Sequence, residues 1–553
     1  MAWKNISVVF LITLLFTAAS VISINQYRYG ISDQTITIPF IKSILNPALY
    51  PGDHVLGQKA YYYTFFWEFC TWAIRLAGTS VPVFFFAFYS ACIFFSFLAL
   101  YCIALTLFQN RTVAFLSLFF LVFSHRTFAG SSTIENLLLT KTAALPFLLF
   151  AMYCVLNSRP LAAGALLGVS FLIHPMSSVY VASMIFFSWL LNAKQAGAKR
   201  ILAATGLFVL TASPILLWKL QHTPVSQHFL KADAEWLELL HLRSPHHIFP
   251  SAWDSNIFVQ ALLIAGLLFI SIKHKPAQKH HRIIFHFVVA VFLLCAAGTL
   301  FTEVFPVAII INLQLLRSYT FIWYIALIYF ANYFLAEMKA GKSFFCRAGI
   351  LLVSAAAFYG SSGWKYPFGA FLLIFPGMIV YEWQTRRKGA IEKYFTVAVT
   401  VVVVLISTGI FFKKKFTGIG VAASESWLDA QRWAKRNTST DDVFIVPPQS
   451  DGFRIESERT IYGDWKDGTL MNFNPEFGKE WFRRMKNLGY EEISGGRKFR
   501  ELNREDILKI VSEIKSGERY PYRKIFFISI SSSEIFPFPV GYENKDYRIY
   551  VVG

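Results

Sequence analysis

Long apolar runs separated by short polar loops fill most of the first 415 positions of the chain. Runs at 8–24, 81–108, 201–218, 257–272, 283–300, 319–335, 350–359, 368–381 and 394–412 read as membrane spans, because crossing hydrocarbon takes about 20 apolar residues. Four further runs, 113–123, 142–156, 161–173 and 179–191, fall short of that length. They predict tilted or broken helices around a cavity more than rods facing lipid. None of the runs alternates with the period of two that a membrane barrel needs, so the spans are helical. The first run is longer than the core of a signal peptide and more spans follow it, which predicts an uncleaved first helix.

Two segments break this pattern. Residues 25–59 are polar and loop-like, and 61–76 carry Glu68 and Arg75 among aromatics, the pattern of a helix lying along the membrane surface. Together they make a long first outer loop, 25–80. After Phe416 the chain takes on the composition of a water-soluble protein. Helical spacing recurs at 424–435, 475–487 and 502–514, and short apolar strands at 443–446, 524–530 and 547–552. The expected architecture is a polytopic α-helical membrane bundle over 1–415, with about 11 to 13 spans, followed by a soluble α/β domain over 416–553.

Composition agrees: 55% of residues are hydrophobic, 17% aromatic and only 15% charged, and the mean hydropathy is +0.47. The net charge of +19 does not indicate nucleic acid, because Lys and Arg sit in short loops between apolar runs. Lys194, Lys199 and Arg200, then Lys273, Lys275, Lys279 and Arg282, then Lys339, Lys342 and Arg347, and finally Arg386, Arg387 and Lys388 fall on one side if the N-terminus is cytoplasmic. The first loop, the loop around Glu135, the loop 219–253 and the C-terminal domain then share the opposite face. Lys413 to Lys415 run against this charge rule and are read as snorkelling to headgroups. The expected location is a bacterial inner (plasma) membrane. Six cysteines without a CxxC spacing argue against a disulfide framework or a zinc site.

Ionisable groups near membrane depth are the candidates for chemistry. Asp33 follows the first span closely and opens an apolar helical stretch, and Asp53 and His54 lie further along the same loop in Pro51-Gly52-Asp53-His54. Their structural alternative is turn and cap chemistry. Arg126, Glu135 and Lys141 form a second polar cluster, with a solvated interfacial helix as its alternative, and His174 ends an apolar run, where a capping role competes. Arg317 precedes a span, at the depth of a lipid phosphate, which a guanidinium can grip with two parallel hydrogen bonds.

This plan resembles the GT-C superfamily of integral membrane glycosyltransferases. In that family an acidic residue follows the first span, further acids stand in the second outer loop, and a basic residue near a later span holds the phosphate of a polyprenyl-linked donor. Asp33, Glu135 and Arg317 match these positions, and the segment carrying Trp427, Trp433, Gly452-Phe453-Arg454 and Asp464-Trp465-Lys466 is similar to the post-membrane region of bacterial GT-C-like proteins. The resemblance implies transfer of a sugar from a polyprenyl-phosphate donor to an acceptor on the non-cytoplasmic face. It implies Asp33, Asp53 and Glu135 as catalytic acids, and Arg317, His54, Arg126, Lys141 and His174 as binders of lipid phosphate or substrate. The first loop has no paired Asp-Asp or Asp-Glu, and the C-terminal domain no Trp-Trp-Asp. A transporter or flippase, or a non-catalytic assembly subunit of the same fold, therefore stays open, as do the sugar, the acceptor and a divalent cation.

Overall fold

The computed structural model describes residues 3–193, 197–222, 232–272, 279–339, 418–490, 497–517, 520–530 and 535–553. The spans expected at 350–359, 368–381 and 394–412 lie outside the described residues. The chain divides into two compact units. One comprises Met1–Tyr27, Ala87–Pro214 and Ser244–Phe416, the other Arg28–Phe86, Ile215–Arg243 and Thr417–Gly553.

The apolar runs are helices. In chain order they are α1 (Trp3–Ala18, continuing through a π turn), α2 (Gln34–Leu45), α3 (Phe65–Ala77), α4 (Val81–Phe108), α5 (Arg111–Leu121), α6 (Thr140–Leu156), α7 (Pro160–Ile173), α8 (Pro175–Leu191), α9 (Ala198–His222), α10 (Ala234–Arg243), α11 (Ser255–Ser271), α12 (Lys279–Thr299) and α13 (Thr320–Lys339). Five stretches among the described residues are long and apolar enough to cross a bilayer: Ser7–Ile24, Val81–Phe108, Ala198–His222, His280–Val304 and Ala308–Glu337. The protein is an integral membrane protein. Leu202, Leu210, Leu217 and Leu220 of α9 are all more than half exposed, as expected where lipid is the solvent.

In the first unit, α7 and α9 approach closely because Gly164 and Gly168 face α9. A Cβ on either would overlap Ala204 O or Thr211 Oγ1. This is the small-xxx-small packing that lets membrane helices touch backbone to backbone.

The second unit contains a five-stranded sheet in the order β2-β1-β3-β5-β4, built from β1 (Val443–Ile445), β2 (Thr460–Ile461), β3 (Ile525–Ile530), β4 (Val540–Glu543) and β5 (Tyr547–Val551). β1 runs parallel to β2 and β3, whereas β5 is antiparallel to β3 and β4. The parallel strand β1 is buried throughout, as parallel strands are. Helices α14 (Glu425–Asn437), α15 (Pro475–Asn487) and α16 (Arg504–Gly517) complete the α/β fold. Ser424 accepts from Trp427 N to cap α14, and Asn474 caps α15 ahead of a proline at its first position. Trp427, Phe444, Phe453, Phe526, Ile528 and Ile549 form the core under α14. The strands β2 and β4 were not expected. The first is two residues long, and the second is mostly exposed, so neither gives a periodic signal.

The first loop folds as part of this second unit. Phe40 of α2 stacks on Trp67 of α3, with ring centroids 4.2 Å apart. Tyr50 Oη donates to Arg454 O at 2.8 Å, and Lys42 Nζ reaches Ile455 O and Glu458, each at 2.7 Å.

Candidate functional site

In the first unit, a pocket forms around the loop between α5 and α6. Buried backbone carbonyls in this loop need partners, and side-chain hydroxyls supply several of them. Tyr324 Oη donates to Thr133 O, Ser124 Oγ to Ile134 O and Tyr89 Oη to Glu135 O, each at 2.6 Å. Thr133 also pairs with the backbone of His125 in both directions, at 2.9 Å. The loop is thereby fixed with Glu135 facing the pocket, where its carboxylate meets Lys141 Nζ at 2.5 Å.

Arg317 enters the same pocket from the other side. A short helix, Ala308–Leu313, is stopped by Gln314 in the left-handed region (φ 47°), and a tight turn, Leu315–Tyr319, leads into α13. Tyr180 Oη of α8 donates to both carbonyls at this break, Leu313 O at 2.5 Å and Gln314 O at 3.0 Å, and so sets the direction of the turn that carries Arg317. His174 lines the pocket as well, while its Nδ1 accepts from Ser177 N at 3.2 Å and caps α8. Arg126 is exposed on the neighbouring bend, where its backbone bridges to Ser132, and it does not line the pocket.

Arg317, Lys141 and Glu135 line this pocket together with an apolar wall of Ile93, Leu145, Leu148 and Phe321. Such a site suits an anionic head attached to a hydrocarbon chain. His247, outside the spans, hydrogen-bonds Ala129 O at 2.9 Å. Burial, then Arg317, then His246 and Lys141 hold its imidazole well below the usual range, so it stays neutral.

The remaining candidates lie in the second unit. Asp33 stands at the N-cap position of α2 but makes no cap hydrogen bond. Its side chain is 40% exposed and binds Lys466 Nζ at 2.7 Å. Asp53, by contrast, is enclosed. Its Oδ1 accepts from Val55 N and Leu56 N at 3.0 and 3.3 Å, which is turn chemistry, and its Oδ2 accepts from Arg454 Nε at 2.7 Å. Arg454 also grips Asp467 with two parallel hydrogen bonds of 2.8 and 3.1 Å. His54 is buried beside this network, 3.5 Å from Asp467 and stacked on Phe477. Burial first, and then Arg484 and Arg454, push its imidazole well below the usual range. Burial and the neighbouring Asp467 push Asp464 upward, the expected response of two carboxyls beside one guanidinium. Among the described residues no three His, Cys, Asp or Glu side chains gather as a metal site.

The fold can be compared with solved structures. Over all of this chain and 99% of that one, the protein superposes on ArnT from Cupriavidus metallidurans bound to undecaprenyl phosphate, with a TM-score of 0.56 at 10% identity. The apo state of the same ArnT gives 0.54 at 11% identity, with the same coverage. The chain has the GT-C fold. The archaeal oligosaccharyltransferase AglB from Archaeoglobus fulgidus, in complex with an inhibitory peptide and a dolichol-phosphate, gives 0.45 at 11% identity over 96% of this chain and 69% of that one. Residues 425–488 match a family model described as a domain of unknown function, DUF6798. No curated protein matches the chain by sequence.

Within the GT-C fold, sequence reading reached Glu135, Lys141, His174 and Arg317, which share a pocket, but it missed Tyr180 and Tyr324. Both lie in apolar runs, and nothing local marks their hydroxyls as partners of distant carbonyls. It also left Arg454, Asp467 and Lys466 without roles. The Asp464-Trp465-Lys466 run was a visible signal, because an acid, an indole and a base in sequence are unusual for a plain surface turn.

Proposed function

We propose that this protein is a membrane glycosyltransferase that moves a sugar from a polyprenyl-phosphate-linked donor to an acceptor on the non-cytoplasmic face of a bacterial inner membrane. The observation that carries the reading is the pocket lined by Arg317, by Glu135 paired with Lys141 and by an apolar wall, in a chain whose fold is that of ArnT solved with undecaprenyl phosphate. The two cations hold the donor phosphate, and Glu135 orients Lys141. As the bond between sugar C1 and the phosphate oxygen breaks, its electron pair leaves on the phosphate, and Arg317 and Lys141 stabilise the charge that develops there. The acceptor oxygen bonds to C1, and its proton passes to a carboxylate. That role falls to Asp33, the half-exposed acid of the first loop. Asp53 and His54, enclosed with Arg454, hold the loop in shape.

The test uses the full chain in lipid nanodiscs. Undecaprenyl phosphate is expected to bind to the wild-type protein, and Arg317→Ala to weaken that binding about 10- to 100-fold, the worth of a lost charge-assisted pair. Equal binding by wild type and Arg317→Ala refutes the assignment. Transfer from a panel of radiolabelled polyprenyl-phosphate sugars to membrane acceptors then identifies the reaction.

A further inference from the structure

The C-terminal part of the second unit supplies a side chain to the first loop at the one position where the proposed reaction needs a base. Lys466 Nζ lies 2.7 Å from Asp33 Oδ1, and the lysine side chain is only 18% exposed. A covered ammonium must have a counter-charge, so this contact is constrained in a way that an exposed surface pair is not. Tyr62 and Arg243 lie within electrostatic reach of Asp33, and Asp451 within that of Lys466 and Arg243. Burial raises the Asp451 carboxyl against the pull of Lys466 and Arg243.

The turn that presents Lys466 is held from every side. Asp464 Oδ1 accepts from Asp467 N at 3.0 Å, and Asp467 Oδ2 accepts from Asp464 N at 3.1 Å. Asp467 is clamped in turn by Arg454. Trp481 Nε1 donates to Asp464 O at 2.9 Å, and Arg243 Nε donates to Trp465 O at 3.2 Å with its guanidinium 5.4 Å from the Trp465 ring. Gly468 follows directly, and a Cβ there would lie 2.6 Å from the Trp481 ring, so the turn can close only with glycine. These contacts set the direction of one ammonium.

We propose that Lys466 is a positioning residue for Asp33: it fixes the carboxylate that accepts the acceptor proton. This rests on the reading of Asp33 as the base. In that step the acceptor O–H proton moves to Asp33, the acceptor oxygen bonds to sugar C1, and the C1 bond to the donor phosphate breaks, with its electron pair leaving on the phosphate. Lys466 gains and loses no proton. The role gives the DUF6798-matching segment a part in the reaction.

The experiment compares wild type, Lys466→Ala, Lys466→Gln, Lys466→Arg and Asp33→Asn as full chains in nanodiscs, each first checked for an unchanged melting temperature and undecaprenyl-phosphate binding. Lys466→Gln, which keeps most of the stem, stands in if the alanine variant does not fold. Lys466→Ala or Gln is expected to lower kcat about 10- to 100-fold, the usual penalty for a misplaced reacting group, with the KM for donor little changed. Lys466→Arg is expected to restore most of the rate. Wild-type kcat in Lys466→Ala, together with an inactive Asp33→Asn, overturns the positioning role alone. A fully active Asp33→Asn overturns the base assignment and the positioning role with it.

Discussion

Arg317 and His54 show how differently two ionisable side chains are used in this chain. Arg317 is half-buried in a pocket with a second cation and an apolar wall. Lysine retains charge at such a site but loses the planar two-point grip on phosphate. Arg317→Lys is therefore expected to bind undecaprenyl phosphate more weakly than wild type but more tightly than Arg317→Ala, an order that calorimetric titration resolves. His54 is neutral when folded because burial, Arg484 and Arg454 depress its pKa. In the unfolded chain a histidine takes up a proton near pH 6.5. As pH falls below that value the unfolded state gains a proton that the folded state refuses, so the contribution of His54 to stability is lost toward acid. The stability advantage of wild type over His54→Phe is expected to shrink by up to about 1.4 kcal/mol per pH unit below 6.5. Denaturation in detergent at stepped pH measures it. Asp464, which shifts the other way, is present in both proteins.

At the scale of elements, two contacts dominate. The close approach of α7 and α9 depends on Gly164 and Gly168 having no side chain, since without a hydrophobic drive between membrane helices close packing must do the work. Gly168→Leu is expected to separate the helices and lower the melting temperature by several degrees, whereas a leucine at the open Gly206 of α9 has little effect. In the second unit, α2 and its loop are fastened to the segment 453–467 by the buried Asp53, Arg454 and Asp467. Removing one member of such a set leaves uncompensated buried charge, so Arg454→Met is expected to cost about 3–5 kcal/mol. Limited proteolysis of the 28–86 loop should report the same loss as faster cleavage.

For the molecule as a whole, the proposed sidedness follows from loop charge. Ser516→Cys, in the exposed last turn of α16, is expected to react with a membrane-impermeant maleimide added to intact cells. Labelling only after lysis would reverse the orientation. Truncation after residue 416 is expected to abolish transfer while the membrane spans still insert, because the second unit then lacks its sheet and Lys466.

Much of this architecture was legible in the residues themselves. Apolar run length fixed the membrane class and the helices α4, α9, α12 and α13, because the cost of unpaired backbone in lipid leaves no alternative. The spacing in α14 and α15 and the buried run of β3 fixed the α/β character of the C-terminal region, because those patterns are local. The candidate acids and bases were also visible as charges where charge is expensive. The sequence did not reveal the company they keep. That Glu135, Lys141, His174 and Arg317 line one pocket depends on Tyr180 and Tyr324 fixing carbonyls more than 130 positions away in the chain. That Asp53 is a buried structural anion while Asp33 stays half-exposed depends on Arg454 and Lys466, which arrive from more than 400 residues further along. Such pairings are decided by which surfaces meet in the folded chain, and local pattern carries no record of that meeting.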